Sequence, residues 1–373
     1  MKKILWAAAA LCCMTTFAVF TACEKVDPEI KVIEYGKVFD YTYEGQTLYY
    51  IVDPSGDAAV VPPMFPYFDH EEDETWTGYD KPEGAVVIPD YVPYCESDHP
   101  VKKVLYCSFF RCYDITSVTL PSTLTFIDKH SFLYCEKLTS IVIPEGVTEI
   151  GFGAFDSCES MTSVKLPSTL KSIGDWCFYS CLKVSELKLP DSLESIGQNC
   201  FTSMLALKSI NLPESLKSIG IGIFDDCPGL TEVTIPTSIT ELPDWTFSNC
   251  TGLIKVNLHD GITSIGYGAF NNTPSLSGSP LPASLKTIGD YAFMYDKNLG
   301  PDIYIPEGVT SIGKCAFGKC AGIKTITLAC SNPPVIQEDT FSAYTATVTV
   351  PKGAGDTYRN HAIWGHFTSI KEN

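Results

Sequence analysis

The apolar positions of this chain recur with a period of 23 residues over most of its length. In one copy the apolar residues are Leu138, Ile141, Ile143, Val147 and Ile150, and a phenylalanine follows. That phenylalanine recurs at Phe109, Phe132, Phe155, Phe178, Phe201, Phe224, Phe247, Phe270, Phe293, Phe317 and Phe341, the last two steps being 24 residues. A period held in phase over more than two hundred residues indicates a repeat array.

Each copy predicts two short strands and a turn. Ile141 and Ile143 alternate with outward positions and end at Pro144, which is typical of a strand with one buried face. Val147 and Ile150 predict a second short strand. The Ala-Phe-x-x-Cys piece that follows is too short for an α-helix and predicts a 3₁₀ turn. A glycine recurs between the second strand and the Ala-Phe-x-x-Cys piece, and it predicts a turn with positive φ. It recurs at Gly151, Gly174, Gly197, Gly220, Gly266, Gly289 and Gly313.

A single copy cannot fold by itself. Its six apolar side chains contribute roughly 1.5–3 kcal/mol each when buried, whereas ordering its backbone costs about 1–2 kcal/mol per residue. Stacked copies share hydrogen bonds and an apolar interior, so stability becomes a sum of unit and neighbour terms. The sequence therefore predicts a right-handed solenoid of leucine-rich-repeat type. Its coils are β-rich, with parallel strands about 4.8 Å apart, short 3₁₀ turns and a cap at each end.

The pattern L-x-x-V-x-L-P-x-x-L-x-x-I-G-x-x-A-F-x-x-C resembles the BspA-like leucine-rich repeats of bacterial surface proteins. The resemblance runs from about residue 86 to the C-terminus. It implies a cell-surface protein that binds host extracellular-matrix proteins such as fibronectin and fibrinogen. The sequence departs from ordinary leucine-rich repeats, because no asparagine ladder follows the strand.

The first residues have the features of an export signal. Residues 1–22 carry Lys2 and Lys3 and then an apolar run that is too short to span a membrane. Small residues directly before Cys23 resemble a lipobox, which predicts lipidation of Cys23 and an outer-membrane lipoprotein that is exposed at the cell surface. An ordinary signal peptide with a chance cysteine is the alternative. Residues 23–36 are predicted to be a tether.

Composition and pattern divide the rest of the chain. Residues 37–85 predict an N-terminal β cap with a hairpin at residues 37–61, and residues 86–347 form the repeats. An insertion at residues 90–100 predicts a protruding contact loop. Residues 348–373 predict a C-terminal cap, with a short amphipathic helix over the last coil. Its apolar residues are Tyr358, Ile363, Trp364 and Phe367.

The chain is acidic, and this excludes some partners. It has 45% hydrophobic and 19% charged residues and a net charge of −18, and loss of the two lysines with the signal leaves −20. Such a charge argues against binding nucleic acid or anionic lipid. The acidic run at residues 69–74 offers oxygen ligands for Ca²⁺, but it lacks the glycine of a calcium loop. A solvated loop is the alternative that its composition favours.

Cysteine is frequent, and 13 of the 16 cysteines follow Cys23. One column lies three residues after the phenylalanine, at Cys112, Cys135, Cys158, Cys181, Cys227, Cys250 and Cys320. Met204, Thr273 and Asp296 occupy the same register in other copies. Small apolar residues in the interior are the favoured interpretation. Disulfides between neighbouring coils and thiolate metal sites are the alternatives, although a straight column does not offer tetrahedral ligands.

The sequence shows no catalytic constellation, so no enzyme, cofactor or metal is predicted. Ser168 and Lys171 have S-x-x-K spacing, but equivalent positions in other copies carry unrelated residues. The six histidines are scattered, and only the pair His361 and His366 has even weak metal-ligand spacing. Paired carboxylates do not recur in any column.

The remaining candidate for function is the outward side of the first strand. Small polar residues with interspersed charge can bind an extended protein or a glycan. The alternative is that serine and threonine simply suit a solvated strand, and the sequence shows no exposed aromatic cluster. The resulting hypothesis is a surface lipoprotein that binds macromolecules, with a glycan-binding or structural envelope protein as the alternative. The candidate face comprises Thr119, Ser140, Ser163, Lys165, Glu186, Lys188, Ser209, Asn211, Glu232, Lys255 and Asn257.

Overall fold

The structure, a computed structural model, describes residues 37–65, 75–277 and 281–373. The predicted signal, Cys23, the tether and the acidic run at residues 69–74 lie outside the described residues. Where it is described, the chain forms a β-solenoid of about 12 coils of roughly 23 residues. The predicted fold class is therefore confirmed.

The described chain begins with three antiparallel strands. These are β1 (Phe39–Tyr43), β2 (Gln46–Val52) and β3 (Ala58–Val61). Glu44 and Gly45 form the first turn with φ of 49° and 82°, so the predicted hairpin is confirmed and a third strand is added to it. Strand β3 then pairs in parallel with the first coil, which joins the hairpin to the edge of the solenoid sheet.

The first coil contains the predicted insertion. Strand β4 (Gly84–Val87) is followed by β5 (Tyr91–Tyr94) and β6 (Ser97–Val104), and the last two pair antiparallel. Cys95 and Glu96 join them with φ of 48° and 64°, as a two-residue hairpin turn of the primed type requires. The insertion is thus a β-hairpin whose far strand continues into the solenoid.

Two columns of short parallel strands run through the described coils. Corresponding residues pair, for example Ser140 with Ser163 and Ile150 with Ile173. The first column comprises β4, β7 (Ile115–Thr119), β9 (Ser140–Val142), β11 (Ser163–Lys165), β13 (Glu186–Leu187), β15 (Ser209–Ile210), β17 (Glu232–Thr234), β19 (Lys255–Asn257), β22 (Asp302–Ile305), β24 (Thr325–Leu328) and β25 (Thr347–Val350). Its pairing is interrupted between β11 and β13. The second continues from β6 through β8 (Phe126–Ile127), β10 (Glu149–Ile150), β12 (Ser172–Ile173), β14 (Ser195–Ile196), β16 (Ser218–Ile219), β18 (Glu241–Leu242), β20 (Ser264–Ile265), β21 (Thr287–Ile288) and β23 (Ser311–Ile312).

The second column of strands is interrupted between β16 and β18. In neighbouring coils the residue after the strand donates its amide to the preceding coil, as Gly220 does to the Ile196 carbonyl at 2.9 Å. The equivalent residue after β18 is Pro243. Proline has no amide hydrogen, so it cannot make this bond.

The phenylalanine column forms a continuous stack inside the solenoid. From Phe109 to Phe341, adjacent ring centroids are 4.9 to 6.2 Å apart and adjacent ring planes differ by 20° or less. Every ring of the stack is buried. Each ring therefore contacts the coil before it and the coil after it.

The glycine column has a different cause from the one predicted. None of its seven glycines has positive φ. Instead, a Cβ at Gly174 would lie 2.7 Å from both the carbonyl carbon of Gly151 and the amide nitrogen of Phe152. Backbones of adjacent coils approach so closely here that there is no room for a side chain. The prediction of a positive-φ turn at this register was wrong.

Left-handed residues do occur, at two other registers. One lies two residues after the glycine register, and the other lies two residues after the phenylalanine. In the coil of Phe155 these residues are Gly153 (φ 54°) and Ser157 (φ 57°). Their amides donate to the next coil, to the carbonyls of Asp175 and Tyr179 at 2.8 Å. The predicted turn has its i→i−3 bonds, as from Cys158 to Phe155, but the left-handed residues prevent a continuous helix.

The C-terminal residues close the array. Helix α1 (Gly355–Arg359) and the 3₁₀ helix Trp364–His366 precede β26 (Ser369–Glu372), which pairs with β25. Trp364 is fully buried, and its ring packs against Phe341 with centroids 5.8 Å apart and an interplanar angle of 60°, an edge contact that ends the stack. Its Nε1 donates to the Pro334 carbonyl at 2.8 Å. The predicted amphipathic helix is confirmed only in part. Tyr358 lies on α1, which has five residues, and Trp364 lies on the 3₁₀ helix, whereas Ile363 and Phe367 lie outside both helices.

Candidate binding surfaces

The outward residues of the first strand column lie together on one side of the solenoid. We call the predicted set, from Thr119 to Asn257, the first-strand face. Nine of its eleven residues are exposed, and Ser140 and Asn257 are half-buried. In-register pairing places its residues above one another coil after coil, as Glu232 pairs with Lys255. The structure therefore brings the predicted residues onto one side of the solenoid, where strand pairing is interrupted between β11 and β13 and the exposed Val142 is apolar.

Side chains on this face contact one another where charge is present. Lys255 Nζ lies 3.3 Å from Glu232 Oε1, and Asn257 Nδ2 donates to the same oxygen at 2.8 Å. These hydrogen bonds from Asn257 and Lys255 lower the pKa of Glu232. Because the three groups are partly or fully exposed, salt and solvent screen their attraction. The cluster orders the side chains of neighbouring coils and adds little to stability.

A second surface, on the turn side of the solenoid, is aromatic. Trp245, Tyr267 and Tyr291 come from three consecutive coils, and we call them the aromatic ridge. The Trp245 and Tyr267 ring centroids are 4.7 Å apart, and those of Tyr267 and Tyr291 are 5.2 Å apart. Trp245 is 36% exposed and Tyr267 is 37% exposed. The prediction that the chain has no exposed aromatic cluster was wrong.

The aromatic ridge was not evident from the sequence because its three residues do not occupy the same position of the repeat. Trp245 and Tyr291 occupy the left-handed register after the glycine column, whereas Tyr267 occupies the position one residue earlier. Their separations are 22 and 24 residues rather than 23. A search for aromatic residues one position either side of the repeat period would have found them.

The cysteine column is a set of buried thiols. None of the seven cysteines of the column forms a disulfide. Thiols of the column donate to the phenylalanine carbonyl of the preceding coil, from Cys135 to Phe109 at 3.3 Å and from Cys250 to Phe224 at 2.9 Å. Burial raises the pKa of the Cys227 thiol to about 12. Because thiolate is the reactive and metal-binding form, these cysteines serve packing.

The described residues contain no group of three or more His, Cys, Asp or Glu side chains that could hold a metal ion. His361 Nδ1 accepts from the backbone amides of Ile363 and Trp364, while His366 packs against Tyr344. Ser168 Oγ donates to Glu145, and Lys171 Nζ pairs with Glu194 at 3.4 Å. Each of these four side chains therefore has a contact outside its own pair. In the described ranges no helix has both the length and the hydropathy that a bilayer span needs.

Asp296 replaces a cysteine in the column and is fully buried. Its Oδ1 accepts from the amide and hydroxyl of Thr273 at 2.6 and 2.9 Å, and its Oδ2 has no hydrogen-bond partner. Burial raises the pKa of this carboxyl well above its usual value, and the bonds from Thr273 oppose the rise only in part. Folding therefore shifts the equilibrium of this carboxyl towards its protonated form.

We expect the Asp296→Asn variant to be more stable than the wild type at pH 8 and equally stable near pH 4. The unfolded aspartate has a pKa of about 3.9. Above that value the folded chain retains a proton that the unfolded chain has lost, so the free energy of unfolding falls as pH rises through the folded-state pKa. Asparagine imitates the protonated acid and removes this dependence. The expected gain at pH 8 is about 1–3 kcal/mol.

Urea unfolding of both proteins between pH 4 and pH 8 measures this difference. The exposed Asp191→Asn change is the control, and its curve should follow that of the wild type. If the free energies of unfolding of Asp296→Asn and the wild type changed with pH in parallel, the buried carboxyl would not be the cause of the pH dependence.

Comparison with known proteins places the chain in a family. No curated protein matches it. Among solved structures it is similar to the pneumococcal vaccine antigen PcpA, with 18% identity over 91% of this chain and 99% of that chain and a TM-score of 0.53. A leucine-rich cell surface protein from Faecalibacterium prausnitzii has 21% identity over 90% of this chain and 95% of that chain, with a TM-score of 0.46.

A leucine-rich repeat protein from Bacteroides ovatus has 22% identity over 89% of this chain and 100% of that chain, with a TM-score of 0.44. At these identities the likeness concerns the fold. The family profile described as BspA type leucine rich repeat region matches six copies, at residues 102–231, 171–300 and 218–347. These stretches together cover more than half of the sequence. The chain therefore belongs to the BspA type leucine-rich repeat family.

Proposed function

We propose that this protein is a non-enzymatic lipoprotein of the outer membrane that binds a protein partner through its first-strand face. The observation that supports the proposal is the register of the first strand column. It places an exposed polar residue of the face on six of the seven coils from Thr119 to Asn257, the exception being the coil of the half-buried Ser140. A regular surface of this kind suits an extended partner, because equivalent contacts recur along the array.

The family and the net charge of the chain both indicate which class of partner it binds. BspA-like repeats imply extracellular-matrix proteins such as fibronectin and fibrinogen as ligands. The net charge of −18 disfavours nucleic acid and anionic lipid surfaces. On the first-strand face, Lys165 and Lys188 are exposed cations within this acidic molecule. We assign them the recognition of acidic groups on the partner.

A binding assay tests this assignment. The chain without residues 1–22, carrying Cys23→Ser, is passed over immobilised fibronectin and fibrinogen. Binding by the wild-type sequence should weaken at least about tenfold in the Lys165→Glu/Lys188→Glu variant, which corresponds to about 1.4 kcal/mol. The matched control, Lys217→Glu/Lys286→Glu, makes the same charge change beside the second strand column and should bind like the wild type. Retention of neither ligand, or equal loss in both variants, would refute the role of the face.

Anchoring is tested separately in cells. Labelled palmitate should be incorporated into the wild-type protein and not into the Cys23→Ser variant. Protease added to intact cells should remove the wild-type protein if the anchor holds it at the outer surface. Palmitate in both proteins, or full protection from the protease, would refute the proposed location.

A further inference from the structure

We propose that the aromatic ridge formed by Trp245, Tyr267 and Tyr291 is a binding site for a neutral glycan chain. The site lies on the turn side and does not involve the first-strand face. The proposal begins from the three rings, which come from consecutive coils and pack against one another with interplanar angles of 57° and 49°. Because each ring is held by its neighbour, the ridge is ordered before any ligand arrives.

The backbone also fixes the ridge. Trp245 and Tyr291 have φ of 57° and 59°, a conformation that an L-residue adopts only where the surroundings hold it. Gly268 lies beneath Trp245 in the next coil, and a Cβ there would approach the indole Cε3 to 2.6 Å. The glycine therefore leaves the space in which the indole rests. Little conformational entropy remains to be lost at these two residues on binding.

Polar groups flank the rings in a way that suits hydroxyl ligands. Asp244 Oδ1 accepts from the Tyr267 amide at 2.7 Å, and Asp290 Oδ1 accepts from the Lys314 amide at the same distance. These bonds orient both carboxylates, and each has a second oxygen that can accept from a sugar hydroxyl. Aromatic faces carry negative charge density, so they attract the polarised C–H groups on the flat side of a sugar ring. The ridge therefore offers aromatic faces and hydrogen-bond acceptors side by side.

Charge and shape distinguish a neutral glycan from other partners. Asp244 and Asp290, within a chain of net charge −18, repel acidic polysaccharides and nucleic acids. The ridge rings stand at the surface, partly exposed, whereas the anchor residues of a protein partner usually enter a desolvated pocket. Coils are about 4.8 Å apart, which is comparable to the length of one sugar unit in an extended chain. A glycan lying along the array would therefore meet successive rings with successive units.

Binding of polysaccharides to the soluble full-length mature chain tests the proposal. The probes are mannan, xylan, a mixed-linkage β-glucan and starch, with polygalacturonate and hyaluronan as acidic comparisons. Calorimetry gives the affinity. Because Trp76, Trp176 and Trp364 also fluoresce, the environment of Trp245 is reported by the part of the fluorescence change that is lost in the Trp245 variant. We expect at least one neutral probe to bind with a Kd below the millimolar range, and both acidic probes to show no binding.

Variants locate the site. Trp245→Ala/Tyr267→Ala should weaken binding at least tenfold, whereas Tyr304→Ala should leave it unchanged. Tyr304 is the matched control because it is 54% exposed and lies on β22, in the first strand column. If the double variant fails to fold, Tyr267→Ala alone and Asp244→Asn/Asp290→Asn provide the same comparison, with at least a threefold loss expected in each.

Several outcomes would overturn the proposal. They are no binding of any neutral probe, preference for an acidic probe, equal affinity in the ridge variants, or loss of a protein ligand in those variants without any glycan bound. The Lys165→Glu/Lys188→Glu variant separates the two sites. It should bind the glycan normally, so the first-strand proposal and the ridge proposal can fail independently.

Discussion

Replacing Phe155 by alanine is expected to lower the free energy of unfolding by about 3–5 kcal/mol. The Phe155 ring is fully buried between Phe132 and Phe178, with centroids 5.1 and 5.5 Å away. Its loss leaves a cavity and removes a stacked contact on each side. In a linear array, stability depends on contacts between neighbouring units, so one substitution weakens two interfaces.

Urea unfolding followed by circular dichroism measures this effect, and the same coil supplies the control. Phe152 lies three residues earlier and is 41% exposed. Its replacement by alanine removes the same side chain from the surface and is expected to change the free energy of unfolding by less than about 1 kcal/mol. Equal destabilisation by the two substitutions would contradict the stack as a source of stability.

The second large loss in the free energy of unfolding is expected from Gly174→Ala. A single methyl group at this position would meet the backbone of the preceding coil, with two atoms at 2.7 Å and the Gly151 carbonyl oxygen at 3.0 Å. Backbone atoms held by hydrogen bonds on both sides cannot move aside as a flexible side chain can. We expect a loss at the upper end of, or beyond, the roughly 1–3 kcal/mol that overpacking usually produces.

Gly45→Ala is the matched control for this substitution. Gly45 has φ of 82°, and a Cβ there would have no atom within 4 Å. Its replacement tests conformational strain without crowding, for which about 1–2 kcal/mol is expected. Thermal and urea unfolding of both variants provide the comparison. A Gly174→Ala variant no less stable than Gly45→Ala would show that close approach of coils does not explain the glycine column.

Periodicity was enough to predict the fold. Burial of Ile141, Ile150 and Phe155 follows from one rule, that every copy turns the same side chains inward, and the sequence displays that rule directly. The C-terminal closure by Trp364 could be predicted for the same reason, since a stack of rings needs an apolar end. Features that depend on the packing of one coil against the next could not be predicted as directly from the sequence.

The glycine column shows this limit. A glycine that recurs at one position of the repeat has two physical explanations, a positive φ or a close approach of another backbone, and the pattern alone does not distinguish them. The structure assigns positive φ to residues such as Trp176 and Ser180, whose types give no such signal. Likewise, the pairing of Glu232 with Lys255 followed from register, whereas the contact of Trp245 with Tyr267 depends on side-chain direction. Of the two candidate surfaces, the sequence therefore indicated only the first.

The uniform register of the coils has a consequence for how the length of this protein can change. Ser172 pairs with Ser195 as Ser195 pairs with Ser218. Removing the 23 residues from 173 to 195 would join Ser172 to Ile196 and let the flanking coils meet with equivalent partners. Gene duplication or deletion of whole units is therefore structurally conservative between the two ends. The number of coils can vary among descendants while the terminal segments are retained.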